Sequence, residues 1–184
     1  MIITDLLSHD QEMIRQTAQL LVEGFKAHWP NAWPDLDSAL EEVQDSFGED
    51  RISRVALDDS GQVLGWIGAI PEYDGHAWQM HPLVVHPRHQ GTGIGRKLVK
   101  DLEEIIRHRG GITIYLGTDD EDSMTSLADI DLYPDVYEHI ARIKNLKHHP
   151  YQFYQKLGYV IVGVIPDANG PGKPDILMSK RVAR

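Results

Sequence analysis

Three glycines alternate with other residues in the segment Gln90–Gly95, which follows an apolar run and precedes a helical pattern. The first backbone N–H groups of a helix have no partner within the helix, and the helix dipole makes this end positive. Glycines allow a ligand to approach such N–H groups closely. The segment therefore predicts a binding site for an anion such as a phosphate group.

The glycine spacing excludes two common phosphate-binding loops. A P-loop requires Gly-Lys-Ser or Gly-Lys-Thr at its end, and a dinucleotide-binding loop requires G-x-G-x-x-G after a first strand. Basic side chains flank the glycine segment at Arg88, His89, Arg96 and Lys97, in a chain whose net charge is −10. This local basic patch favours an anionic ligand, and its alternative explanation is a solvated start of a helix.

The apolar run before the loop, Ala77–Val85, has the composition of a strand. Because side chains alternate along a strand, we expect Gln79, His81 and Leu83 on one face, where all three would meet one ligand. An imidazole exchanges protons near neutral pH, whereas a glutamine amide cannot accept a proton. The alternative role for His81 is that of a structural histidine held by hydrogen bonds.

Carboxylates cluster in two places. Asp119, Asp120, Glu121 and Asp122 follow the next predicted strand, where an acidic loop would hold a polycation. A second group lies on the second predicted helix: Glu41, Glu42 and Asp45. Each group of carboxylates is equally consistent with a solvent-exposed surface and with a substrate-binding surface.

Composition limits the classes of protein. The chain has 184 residues, of which 41% are hydrophobic and 25% charged, and this predicts one globular domain over residues 1–184. Cysteine is absent, which excludes disulfides and thiolate nucleophiles and suits a cytoplasmic protein. We expect neither a signal peptide nor a membrane span from the residue pattern, and therefore no membrane partner. The acidic balance argues against nucleic acid, and the four tryptophans are assigned to core or interface positions.

Histidine spacing argues against a metal site. None of the ten histidines forms an H-E-x-x-H motif, and His148 and His149 are adjacent, so that their side chains point apart. We therefore expect no metal.

Hydrophobic periodicity predicts a mixed α/β (α+β) chain with the element order β, α, α, β, β, β, α, β, α, β, β. Ser38 and Glu41 form a capping box for the second helix, and Asp58–Gly61 predicts a hairpin turn. The main predicted ranges are helices over 11–28, 136–146 and 150–157 and strands over 52–57, 63–70, 77–85, 112–116, 160–165 and 176–178.

The segment Gln90–Gly95 fits the pattern Q/R-x-x-G-x-G/A, which resembles the pyrophosphate loop of the GCN5-related N-acetyltransferase (GNAT) superfamily. The element order is also similar to that fold, a mostly antiparallel central sheet flanked by helices. The resemblance implies acetyl-CoA as the cosubstrate, lying against the backbone of the preceding strand. The implied contacts come from Leu83, Val84, Val85, Gln90, Gly91, Thr92, Gly93, Ile94, Gly95, Arg96, Lys97 and Tyr154.

A narrower resemblance covers nearly the whole chain. Residues 68–71, 81–85, 110–120, 149–151 and 163–178 are similar to the aminoglycoside 6'-N-acetyltransferases of the enterococcal type. The likeness implies a homodimeric antibiotic-resistance enzyme that acetylates the 6'-amine by direct transfer in a ternary complex. The expected substrate-binding residues are Gln79, His81, Asp119, Asp120 and Asp122.

The catalytic roles follow from this resemblance. Tyr154, in the segment Phe153–Tyr159, aligns with the general acid of these enzymes. A phenol suits this role because it stays protonated at neutral pH. The N–H group of Leu83 is the expected oxyanion donor. At Gln79 the resembled enzymes have a carboxylate, so either His81 or an ordered water must deprotonate the amine. Another amine substrate, such as a polyamine or a peptide, and a non-catalytic acyl-CoA-binding module are the alternatives.

Overall fold

The computed structural model describes all residues from Met1 to Arg184 and divides them into two compact units. The first unit contains residues 1–114 and 182–184, and the second contains residues 115–181. No helix in the chain is both long enough and apolar enough to cross a membrane. That the whole chain is one domain stays a prediction.

Four antiparallel strands in the order β1-β2-β3-β4 and three helices build the first unit. In chain order the elements are β1 (Ile2–Asp5), α1 (Gln11–Phe25), α2 (Leu36–Asp45), β2 (Ile52–Leu57), β3 (Val63–Glu72), β4 (Ala77–Val85) and α3 (Ile94–His108). The bounds of β2 and β4 match the predicted ones. Helix α1 ends three residues before the predicted end.

Strand β3 lies in the middle of the core, because its residues from Val63 to Ala69 are all buried. Trp66 belongs to the apolar cluster that α1 and α2 form, together with Leu21 and Val43. On the other face of β3, a Cβ atom on Gly65 would meet the side chains of Leu98 and Ile94 of α3. Helices therefore cover both faces of this strand, as expected for a continuously apolar run.

The start of α2 differs from the prediction. Asp35, not Ser38, is the N-cap residue, and its carboxylate accepts a hydrogen bond from the Ser38 N–H over 2.9 Å. The Ser38 hydroxyl donates to the carbonyl oxygen of Asp35. An acidic side chain one turn earlier therefore takes the capping position, where the helix dipole also favours it.

The second unit contains strands in the order β5-β7-β6 and two short helices. Its elements are all but the first two residues of β5 (Thr113–Asp119), α4 (Val136–Ala141), α5 (Tyr151–Gln155), β6 (Val160–Ile165) and β7 (Asp175–Arg181). Strands β6 and β7 are antiparallel. The prediction of a helix up to residue 146 is wrong. The chain after α4 pairs instead with the preceding loop through the Thr125–Asn145 bridge and a Ser126 N–H to Lys144 carbonyl hydrogen bond.

Candidate active site

A β-bulge in β4 decides which way the predicted catalytic side chains point. Ile67 of β3 pairs with Leu83 and Ala69 pairs with Met80, so Gly68 alone lies opposite the two residues His81 and Pro82. The peptide between His81 and Pro82 is cis. Two residues opposite one define a bulge, which shifts the alternation of the strand beyond it.

This bulge corrects the prediction that Gln79, His81 and Leu83 share one face. Gln79 pairs with Ile70 and Leu83 pairs with Ile67. Residues three apart on β3 point to opposite faces, and their cross-strand partners do the same. The Leu83 side chain therefore lies on the face opposite to that of Gln79. A role for Leu83 through its backbone N–H does not depend on this side-chain direction.

His81 lies beside α2 and the segment before it. Its Nε2 atom is 3.5 Å from Oε1 of Glu42, and the centroid of its ring is 6.0 Å from that of Trp33. Trp33 in turn packs edge-on against Phe25 at 4.6 Å. The sequence assigned Trp33 to a core or interface position, and its half-buried ring does pack against the apolar core cluster. The same ring also lies next to a predicted catalytic residue.

The Glu42 side chain beside His81 is ionised at neutral pH. Its pKa lies below the ordinary value, chiefly because of its hydrogen-bonding interaction with His81, while partial burial acts in the opposite direction. Trp33 and the charge of Arg51 lower the pKa further. Gln79, two residues before His81, cannot supply a negative charge at this site.

The glycine segment forms the predicted strand-to-helix junction. Gly91 and Gly93 have φ angles of +75° and +91°, and Gly93 is the N-cap residue of α3. No side chain caps this helix start, and no acidic residue lies in its first turn. The N–H groups of its first turn are therefore available to a ligand.

The side chains of the loop support its shape. The Thr92 hydroxyl donates to the carbonyl oxygen of His89, and the Gln90 amide donates to that of Val85. Both side chains are thus engaged within the loop, which leaves backbone N–H groups as its ligand-binding atoms. Arg96 and Lys97 are exposed at the first turn of α3. Cations at this end of a helix oppose its dipole, so an anion bound there would stabilise the arrangement.

In the second unit, Tyr154 lies on α5 and is 9% exposed. Its ring contacts those of Phe153 and Tyr159, with centroids 5.1 and 5.9 Å away. Burial raises the pKa of the Tyr154 hydroxyl well above its usual range, so this group stays protonated at neutral pH. A buried, protonated phenol suits both proton donation and simple packing.

The acidic loop divides into structural and accessible carboxylates. Asp120 is fully buried, and its two carboxylate oxygens accept hydrogen bonds from the N–H groups of Met124 and Thr125 over 2.7 and 2.8 Å. It offers no oxygen to a substrate, so its assignment as a substrate-binding residue is corrected. Asp122 is exposed, and Asp119 accepts a hydrogen bond from the Asn169 amide.

His149 holds the acidic loop to the start of α5. Its Nδ1 atom accepts the Tyr151 N–H over 3.2 Å, which assigns the proton to Nε2, 3.0 Å from the Asp119 carbonyl oxygen. Burial lowers the pKa of His149, consistent with a neutral ring. The side chain is therefore structural.

Asp175 is an acidic residue that no functional motif in the sequence marks. Its carboxylate lies against Gly117, where a Cβ atom would collide with it, and its Oδ1 atom is buried without a hydrogen-bond partner in the protein. Burial, followed by the charge of Asp119, raises the pKa of Asp175 to about 6. Only its membership of the segment 163–178 marked it in the sequence. Across the chain, no group of three His, Asp or Glu side chains is placed to hold a metal ion.

Comparisons with known proteins identify the family of this chain. The family model described as the acetyltransferase (GNAT) family matches residues 16–133. A crystal structure of an aminoglycoside 6'-N-acetyltransferase complexed with coenzyme A is 43% identical, with a TM-score of 0.91, and the match covers 100% of this chain and 98% of that one.

Two further crystal structures show the same likeness. The aminoglycoside 6'-N-acetyltransferase from Enterococcus faecium is 43% identical with a TM-score of 0.89, over 100% of this chain and 98% of that one. An aminoglycoside 6'-acetyltransferase type Ii is 38% identical with a TM-score of 0.75, over 100% and 99% of the two chains. A search of curated proteins found no match.

Proposed function

The chain belongs to the GNAT family of acetyltransferases, and we propose that it transfers the acetyl group of acetyl-CoA to the 6'-amino group of an aminoglycoside. It is an acetyl-CoA-dependent N-acetyltransferase with a mixed α/β fold and mostly antiparallel strands. The observation that carries the substrate assignment is the 43% identity over the full chain to structures of aminoglycoside 6'-N-acetyltransferases.

The loop geometry fits the pyrophosphate of acetyl-CoA. An uncapped helix start, two glycines with positive φ and exposed cations at the first turn combine in one anion site. We assign the backbone of Gln90–Gly95 to the pyrophosphate, and Arg96 and Lys97 to its charge. The backbone of Leu83, Val84 and Val85, at the end of β4, is assigned to the arm that carries the thioester.

The proposed reaction is direct transfer in a ternary complex, and the composition supports it. Acetyl-CoA supplies an activated acetyl thioester, and the chain has no cysteine to carry an acetyl group between half-reactions. The amine nitrogen forms a bond to the acetyl carbon as the carbon–sulfur bond breaks. In this proposal the Leu83 N–H donates to the carbonyl oxygen, where negative charge develops, and Tyr154 donates a proton to the leaving sulfur.

The acidic residues suit a cationic substrate. Asp119 and Asp122 remain the proposed contacts for its amino groups, while Asp120 supports their loop from inside. Gln79 and His81 are the proposed contacts near the reacting amine. Gln79 stands where the resembled enzymes have a carboxylate, so another amine, such as a polyamine or a peptide, is the alternative acceptor.

A homodimer and a cytoplasmic location complete the proposal. Strand β6 lies at the edge of its sheet and exposes Val160, Val162 and Ile165, by 60%, 59% and 48%. Such an apolar edge is suited to a second copy of the chain, as the sequence resemblance implies. Size-exclusion chromatography with light scattering tests this, and a mass of a single 20.8 kDa chain at micromolar concentration would contradict it.

The deciding experiment compares two acceptors. We would measure release of free CoA from acetyl-CoA with a kanamycin that carries a 6'-amine and with an aminoglycoside that carries a 6'-hydroxyl. The proposal expects turnover with the amine only, and a product acetylated at the 6' position by NMR. Absence of turnover by a protein that binds acetyl-CoA would contradict the aminoglycoside assignment, and the same assay with polyamines and peptides would test the alternative.

A further inference from the structure

The replacement of a carboxylate by Gln79 leaves the proton of the substrate ammonium without an obvious acceptor. The structure supplies a carboxylate close by on another element, because Glu42 of α2 approaches His81 of β4. We propose that Glu42 is a positioning residue that orients the His81 ring, so that its Nδ1 atom accepts the proton of the amine. This inference rests on the proposed acetyl transfer.

The contact with Glu42 involves one of the two ring nitrogens of His81. The Glu42 Oε1 atom lies 3.5 Å from Nε2 of His81, and the Glu42 side chain is only 26% exposed, against 43% for His81. A carboxylate accepts hydrogen bonds and cannot donate them, so it selects the tautomer with the proton on Nε2. The lone pair is then on Nδ1, which is the atom left to take a proton.

Glu42 retains its negative charge for this role. The contact with His81 is the main cause of its lowered pKa, and Trp33 and Arg51 act in the same direction. A fixed carboxylate on Nε2–H stabilises the imidazolium that forms when Nδ1 is protonated. Glu42 does not itself take the proton, so its effect is exerted through His81.

Aromatic packing limits the other motions of the ring. Trp33 lies 6.0 Å from the His81 ring, centroid to centroid, and is itself held edge-on by Phe25. His81 thus has a carboxylate and an indole as neighbours from the α1–α2 part of the chain. Gln79, two residues before His81 in β4, is left as a hydrogen-bonding contact for the substrate.

The proton balance is complete with these groups. The substrate ammonium gives one proton to Nδ1 of His81, and its nitrogen then carries the lone pair that attacks the acetyl carbon. After the carbon–nitrogen bond has formed, the nitrogen releases its second proton to solvent. The CoA sulfur leaves with the electron pair of the broken bond and receives the Tyr154 proton. Water then takes the proton from His81 and reprotonates Tyr154.

The test compares Glu42→Gln with Glu41→Gln, which makes the same change of charge at the exposed neighbouring position. Two-dimensional ¹⁵N NMR of the histidine rings reports the His81 tautomer in the resting protein, with His81→Gln used to assign the signal. We expect the Nε2–H form in the wild type and in Glu41→Gln, and a mixture of tautomers in Glu42→Gln.

Kinetics provide the second readout. With a 6'-amine acceptor, Glu42→Gln is expected to lower kcat at least about 10-fold, with the KM for acetyl-CoA unchanged, and Glu42→Asp to recover part of the loss. A Glu42→Gln variant that raises only the KM for the aminoglycoside would overturn the inference, since Glu42 would then act by contacting the substrate. The same His81 tautomer populations in Glu42→Gln and Glu41→Gln would also overturn it.

These two readouts separate the inference from the function. If the wild type acetylates no aminoglycoside, the proposed function fails, whereas the NMR comparison still decides whether Glu42 orients His81. If the wild type is active and the tautomer does not respond to Glu42→Gln, only the inference fails. Thermal unfolding of all variants verifies that the folded state is compared throughout.

Discussion

The carbonyl oxygen of His81 occupies the space that a side chain on Gly68 would need. Gly68 is the single β3 residue opposite the two residues of the β4 bulge, and a Cβ atom there would collide with this backbone oxygen. Backbone cannot move aside as the end of a flexible side chain can. The bulge that separates the faces of Gln79 and Leu83 therefore depends on glycine at this position.

Gly68→Ala is expected to disturb the bulge. Relieving the overlap requires a shift of β4, which would lower the free energy of unfolding by about 1–3 kcal/mol and reduce kcat by displacing His81 and Leu83. Urea denaturation and steady-state kinetics measure the two effects. The matched control is Gly163→Ala in β6, where a Cβ would make only an ordinary contact with Leu177 at 3.8 Å. Similar, small effects of both substitutions would contradict this account.

Tyr154→Phe removes the proposed proton donor and keeps the packing of the ring. General acid catalysis contributes about 10²–10⁴-fold to a rate, so we expect kcat to fall at least about 100-fold while acetyl-CoA binding is retained. Tyr137→Phe makes the same chemical change on α4, at a residue that is 82% exposed, and is expected to be silent. Full activity of Tyr154→Phe would assign Tyr154 to packing alone.

The two roles of acidic loop residues are separable by substitution. Asp120→Asn places an amide where two backbone N–H groups need acceptors, so the free energy of unfolding is expected to fall by about 1–3 kcal/mol. Asp122→Asn removes an exposed charge and is expected to raise the KM for a cationic aminoglycoside with little change in stability. Denaturation and initial-rate assays of both variants test the division. A loss of stability in Asp122→Asn alone would reverse it.

Asp175 makes stability depend on pH. Its pKa rises from 3.8 in the unfolded reference to about 6 in the fold, so between these values the folded state retains a proton that the unfolded chain has lost. Stability from this group is therefore present at low pH and is lost as the pH rises through about 6. Because the residue is partly exposed, we expect this loss to be about 1–2 kcal/mol.

Asp175→Asn is expected to remove that loss. Relative to the wild type, the variant should be more stable at pH 8 and little changed at pH 4, as measured by urea denaturation at both values. Asp135→Asn, at an exposed position, is the control for a general effect of charge. Destabilisation by Asp175→Asn at pH 8 would contradict this prediction, because it would mean that the ionised carboxylate makes favourable contacts in the folded state.

Local elements were predictable where neighbouring residues alone determine them. Strands β2, β4 and β6 have the predicted bounds, because residues that favour extended backbone define a strand locally, whether or not it is buried. The expectation that β6 is a buried strand is wrong, since Val160, Val162 and Ile165 are exposed. Helix α4 shows where local prediction of bounds fails, since its predicted last turn pairs with the loop around Thr125 instead. The periodicity of a segment carries no information about a competing partner elsewhere in the chain.

The sequence by itself determined the anion loop at Gln90–Gly95, because glycines before a helix create unpaired N–H groups whatever the surroundings are. Only the tertiary structure decided the direction of Leu83, the burial of Asp120, and the contacts of Glu42 with His81 and of Asp175 with Gly117. A bulge depends on the register of two strands, and a carboxylate's role depends on which distant atoms desolvate it or bind to it. Both are properties of pairs of segments, which the order of residues in one segment does not specify.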